Sequence, residues 1–221
     1  MRQTPYNVLI KIIVCGNMMS GKTRICRTIA GEDSENHNYE PTVGLDLFSI
    51  SRFLDGNKHC KIHLLDTSGD HHYLPIIRSY FPACAMVLII VDLKKGQTIE
   101  QVQEWIEESR ESAKIANSRQ KYVQISVFAN RTSEENNIPE LADLCRKENV
   151  LFFEMDFGNY GEVTNAFDAI VSYIDTSYIR NFDRHPGIRY AGMSDRNHDE
   201  STPLIGRSSN TISNNGCCSI L

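Results

Sequence analysis

Gly16, Asn17, Met18, Met19, Ser20, Gly21, Lys22 and Thr23 fit the pattern G-x-x-x-x-G-K-[ST]. Glycines at its two ends let the backbone curl its N–H groups around phosphate oxygens. Lys22 can reach the outer phosphates, and the Thr23 hydroxyl is a hard oxygen ligand for Mg²⁺. That chemistry is the binding of a nucleoside di- or triphosphate. Other constellations are weaker. Asp156-Phe157-Gly158 copies three letters of a kinase motif, without a kinase lysine or catalytic loop. Asn130-Arg131-Thr132 has the N-glycosylation pattern but follows a core strand. His71-His72 lacks a Cys or carboxylate partner at metal-ligand spacing and reads as solvated loop. His63, Cys15 and Cys26 read as packed residues. The chain ends Cys217-Cys218-Ser219-Ile220-Leu221. As C-a-a-X this makes Cys218 a prenylation site, Leu221 favouring geranylgeranyl, with Cys217 as a second lipid site.

A phosphate loop needs a strand before it and a helix after it, and the sequence supplies both. Apolar runs bounded by turn residues recur at Val8 to Cys15, Lys61 to Leu65, Ala85 to Val91, Val123 to Ala129 and Val150 to Phe153. They read as strands buried on both faces. A sixth, mixed run from Leu45 to Leu54 precedes Asp55-Gly56-Asn57, a hairpin signal that predicts an antiparallel pair with the Lys61 run. Between strands lie helical spacings: Ile99, Val102, Trp105 and Ile106; Leu141, Leu144 and Cys145; and Val163, Ala166, Phe167, Ile170, Val171 and Ile174. The alternation predicts an α/β fold with a six-stranded, mostly parallel sheet flanked by helices. Residues 1–176 form one domain on this reading, and 177–221 a disordered tail. From Ser177 to Gly216, 12 of 40 residues are apolar or Gly, too few to fold alone.

Composition narrows the classes. Lys and Arg total 23 against 28 Asp and Glu, a net charge of -5, which leaves no surplus for gripping nucleic acid. The longest unbroken apolar run, Ala83 to Val91, has nine residues, whereas a spanning helix needs about 20. The N-terminal MRQTPYNVLIKIIV reads as a strand rather than a secretory signal. Seven Cys without framework spacing fit reduced thiols in the cytosol.

Two further segments carry a resemblance. Tyr39-Glu-Pro-Thr42-Val-Gly44 and Asp66-Thr-Ser-Gly69 resemble the two nucleotide-sensing switches of small Ras-like GTPases. Thr42-Val-Gly-Leu-Asp46, Lys61-Ile-His-Leu-Leu-Asp66, Ser79-Tyr-Phe-Pro-Ala83 and the helix with Trp105 are similar more narrowly to Rab proteins, over roughly residues 8–175. The resemblance implies a P-loop NTPase fold that binds GTP or GDP with Mg²⁺. It implies Thr23, Thr42 and Asp66 at the metal, with Asp66 acting through water, and the Gly69 N–H on the γ-phosphate. The rest of the implied nucleotide site is the loop from Gly16 through Arg24, with Tyr39, Asn130, Arg131, Ser133 and Phe157. It further implies an exchange factor, a GTPase-activating protein and effectors docking on residues 37–48 and 66–82. A prenylated C-terminus on the cytoplasmic face of an endomembrane or the plasma membrane, beside a cytosolic pool, completes the picture.

The chain also departs from that family. Asp70, shorter and anionic, stands where a water-orienting Gln is usual, as the candidate catalytic position. Met18 and Met19 replace small loop residues. The guanine-reading N-K-x-D is Asn130-Arg131-Thr132-Ser133 here, and S-A-K is Asp156-Phe157-Gly158, leaving the Phe157 N–H as the expected base contact. Leu47 and Leu65 replace Phe and Trp of the effector patch. The sequence therefore predicts a membrane-anchored GTP/GDP switch in vesicle trafficking with slow hydrolysis, or alternatively a pseudo-GTPase interaction scaffold with weak or altered nucleotide binding.

Overall fold

The computed structural model describes residues 6–32, 40–54, 56–116, 123–131, 138–180, 185 and 187–191. Strand β1 (Val8–Cys15) lies at the centre of the sheet, and burial on both of its faces explains why every residue but Lys11 is apolar. Ile10, Ile12 and Val14 enter one core, while Ile13 and Cys15 enter the other. The first core is closed by α1 (Lys22–Ala30) and α5 (Tyr160–Ile174), the second by α2 (Leu74–Arg78), α3 (Ile99–Ala116) and α4 (Ile138–Lys147). Every α5 position named from spacing, Val163 through Ile174, is buried. Asn159 caps this helix, its Oδ1 accepting from Gly161 N at 3.0 Å and Glu162 N at 3.2 Å.

The remaining strands are β2 (Leu45–Leu54), β3 (Lys58–Thr67), β4 (Met86–Val91), β5 (Gln124–Asn130), β6 (Leu151–Met155) and β7 (Ile188–Tyr190). The order is β2-β3-β1-β4-β5-β6, with β7 also on β1. The expected hairpin is present: β2 and β3 pair antiparallel from Leu45 opposite Thr67 to Leu54 opposite Lys58, with Gly56 and Asn57 both at positive φ. The other expected strands run parallel. Because the order reverses across β1, a crevice opens at its C-terminal end, where an open α/β sheet places its ligands.

The expectation of six strands needs correction. A seventh, β7, comes from the segment assigned to the tail, so the ordered chain extends past residue 176. It pairs antiparallel with Val8–Ile10 on the edge of β1 that β4 leaves open below Ile12. Three residues suffice because they add to an existing strand rather than folding alone. Lys11 N donates to Gly187 O at 2.9 Å and Ala191 N to Asn7 O at 2.9 Å. Between α5 and this strand, a single wider turn (Asp175–Ile179) carries Ile179 into the core beside Ile188. Gly187 lies so close to β4 that an ideal Cβ would sit 1.9 Å from Ala85 N.

Candidate functional site

Residues 16–21 leave the end of β1 and deliver the chain to α1, whose first turn carries Lys22 and Thr23. No side chain caps α1 at Gly21, so its leading amides stay available to an anion at the positive end of the helix. Lys22 is buried, and its ammonium donates to Gly16 O at 2.9 Å and Asn17 O at 2.7 Å. Burial pulls its pKa below the ordinary lysine value, while the Asp66 carboxylate pushes the other way. Ser20 is buried under the loop. Met18 and Met19 are about half exposed, and Met19 holds φ at 62°, a left-handed conformation uncommon for a residue with a side chain.

Three hydroxyl and carboxylate groups distant in sequence meet beside Lys22. Thr23 Oγ1 donates to Asp66 Oδ2 at 2.6 Å and lies 3.1 Å from Thr42 Oγ1, which donates to the same Asp66 oxygen at 3.3 Å. Asp66 is fully buried at the end of β3, and burial raises its carboxyl pKa although the Thr23 and Thr42 hydroxyls and Lys22 oppose this. Its Oδ1 is buried without a hydrogen-bond partner among the described residues. A buried anionic oxygen with two hydroxyls beside it is a donor set that fits Mg²⁺. Gly69 closes the cluster: an ideal Cβ there would lie 2.4 Å from Met18 N and 2.7 Å from Lys22 Nζ, so only glycine lets the backbone approach the loop.

Asp70, the candidate catalytic position, is engaged within its own turn. Its Oδ1 accepts from His72 N at 2.9 Å and pairs with His72 Nδ1 at 2.7 Å, capping the turn His71–Tyr73. Those bonds hold its carboxyl below the usual carboxylate range. His71 and His72 are both exposed, and no cluster able to hold a metal by His, Cys, Asp or Glu occurs among the described residues.

The base-reading corner is rebuilt. Asn130, at the end of β5, donates from Nδ2 to Asp92 Oδ2 at 3.1 Å, and its Oδ1 accepts the Phe157 N–H at 3.1 Å. The backbone donor expected to reach a base is thus bonded to a side chain here. The Phe157 ring belongs to the core, 3.5 Å from an ideal Cβ on Gly21. Arg131 is drawn outward to Glu162 at 3.1 Å and Glu154 at 3.5 Å. Arg24 is exposed, its Nη2 3.7 Å from an ideal Cβ on Gly158. Tyr39, Ser133, Cys217 and Cys218 lie outside the described residues. Sequence reasoning missed Asp92, whose place opposite Asn130 is fixed by the β4–β5 register, and the Asn17–Trp105 bond, which no local pattern announces.

The sequence profile of the Ras family matches residues 11–176. Among curated proteins, the Ras-related protein Rab-13 of Mesocricetus auratus is 25% identical over 166 residues, covering 75% of this chain and 79% of its own. The Ras-related protein RABA1h of Arabidopsis thaliana is 24% identical over 174 residues, covering 76% of each chain. The GTP-binding protein YPT53 of Saccharomyces cerevisiae is 26% identical over 155 residues, covering 66% of this chain and 67% of its own. A family profile spanning most of the folded chain, on a sheet wound to present a phosphate loop at its switch point, settles the kinship: the chain belongs to the Ras family, as a divergent, Rab-like small GTPase.

Proposed function

We propose that the protein is a membrane-anchored GTP/GDP switch of vesicle trafficking with slow intrinsic hydrolysis. The observation that carries this reading is the meeting of Thr23, Thr42 and Asp66 beside Lys22, with one carboxylate oxygen buried and unpartnered. Thr23 and Thr42 would hold Mg²⁺ through their hydroxyls and Asp66 through water. When bound, the ion would neutralise phosphate charge. Lys22 supplies a fixed cation for the outer phosphates, and the Gly69 N–H a donor for the outermost one. Loss of that phosphate would release residues around Thr42 and Gly69, an order-to-disorder change that partners can read. Val43, Leu47, Ile76 and Tyr80 are exposed on the two segments concerned, which supports exchange factor, activating protein and effectors docking there.

Chromatography of the nucleotide released on denaturing the purified protein tests the reading. GDP or GTP is expected, and Thr23→Asn should abolish Mg²⁺-dependent triphosphate binding by calorimetry. Bound adenine nucleotide, or unchanged affinity in that variant, would overturn it.

A second reading, a membrane-tethered scaffold with weak or altered nucleotide binding, is favoured by the base corner, where the Phe157 N–H and Arg131 are both engaged within the protein. A native chain that retains no nucleotide would decide for it.

A further inference from the structure

Trp105, the sole tryptophan, lies on α3 and is 6% exposed. Two contacts at its rim join segments far apart in sequence. Its Nε1–H donates to Asn17 Oδ1 at 2.6 Å. Its ring stacks on that of His71, with centroids 6.0 Å apart and planes 22° from parallel. Asn17 belongs to the phosphate loop, and His71 follows the residues Gly69 and Asp70 that close over it. Those two segments also touch directly, since an ideal Cβ on Gly69 would lie 2.6 Å from Asn17 C. Further along α3, Glu108 receives Arg78 through two bonds of 2.7 Å, so the helix holds both ends of the stretch from His71 to Arg78. A small cavity lined by Gly16, Asn17, Gln97, Gln101, Val102 and Trp105 lies at the same junction.

We propose that Trp105 is a positioning residue of the nucleotide site. It fixes Asn17 within the phosphate loop and, through His71, ties that loop to the segment carrying Gly69 and Asp70. The inference rests on the small-GTPase reading and adds a route by which the outermost phosphate is felt at α3. An indole N–H bonded to asparagine merely to satisfy a buried donor would affect stability alone. A positioning bond also makes the indole sensitive to which nucleotide is bound.

The test uses the full chain loaded with Mg²⁺ and either GDP or the slowly hydrolysed analogue GTPγS, loading being measured by chromatography of released nucleotide. Indole emission is expected to differ between the two loaded states, and His71→Ala, a change at an exposed ring, should remove most of that difference. Trp105→Phe and Asn17→Ala should each speed GDP release about 2- to 10-fold, the range of one lost hydrogen bond, with the double variant no faster than the faster single. Equal emission from the two loaded states, or rates that multiply in the double variant, would overturn the proposal while leaving the GTPase reading intact. A native chain that loads neither nucleotide would bring down that reading and this inference together.

Discussion

Asp70 stands where the family resemblance leads one to expect a water-orienting Gln. Its carboxylate is one methylene shorter than Gln, lacks the amide donor, and is engaged in capping the His71–Tyr73 turn. Asp70→Gln is therefore expected to speed single-turnover GTP hydrolysis about 10- to 100-fold, at or below what one positioned catalytic group contributes. A native rate equal to that of a Gln-bearing relative would show that Asp70 is no impairment. The cap also has a pH signature. Its carboxyl is held below the ordinary value, so the contribution is fully present above the usual carboxylate range and is lost as pH falls through the lowered value. The His72 amide shift, followed by NMR, should titrate below the range of an exposed Asp. In the base-reading motif of the sequence, Ser133 stands where the family resemblance implies a carboxylate that would accept two hydrogen bonds from guanine. Hydrogen bonds to charged groups are worth about 1.5–3 kcal/mol each, so Ser133→Asp should raise GTP affinity roughly 10- to 100-fold after allowing for water. Competition among GTP, ATP and XTP measures this, and strong native preference for GTP would count against it.

At the level of elements, β7 is the feature whose removal can be tested most directly. Gly187→Ala would set a methyl group against the Ala85 backbone, which cannot move without disturbing β4, so the strand should undock rather than deform its neighbour. Hydrogen exchange should rise at Lys11 and Ala191, whose amides the pairing protects, while β3 and β5 amides hold. Because undocking is local, the cost should stay within about 1–3 kcal/mol. Unchanged exchange at Lys11 would mean that the strand contributes no protection. The same element marks where sequence stopped being informative. Strands β1, β4 and β5 were legible because burial on both faces forces largely apolar runs, and the mixed β2 through its hairpin with β3, where Gly56 and Asn57 supply the positive φ the turn requires. A three-residue strand gives too short a pattern, and Ile188 became apolar core only because β1 had an open edge to offer. In the site, the phosphate loop was readable from glycine and lysine spacing. The Trp105 junction was not, because it depends on α3 crossing over a loop 88 positions earlier. The bond of the Phe157 N–H to Asn130 was illegible for a related reason: it depends on the packing of β5 against β6, which no motif encodes.

The whole molecule carries a net charge of -5, and the stretch from Ser177 to Gly216 contains no Lys and five Arg against four acidic residues. Anionic lipid would therefore give little electrostatic attraction, and no helix among the described residues is long and apolar enough to cross a membrane. If the protein is held at a membrane, as its proposed role requires, we propose that lipid on Cys217 and Cys218 supplies the attraction. The other five cysteines cannot compete for modification. All are buried, with the Cys60, Cys84 and Cys145 thiols pushed up to about 12 and those of Cys15 and Cys26 also raised by burial. Protein made without prenylation should thus react with a thiol reagent at two positions while native and at seven once unfolded. Burial contributes about 0.8 kcal/mol per CH₂, so one chain alone binds marginally and reversibly while two anchor stably. Cells expressing either single Cys→Ser variant should divide the protein between membrane and soluble fractions, and the double variant should leave all of it soluble. A double variant that still sediments with membranes would show that a protein partner, and not a lipid, holds this GTPase in place.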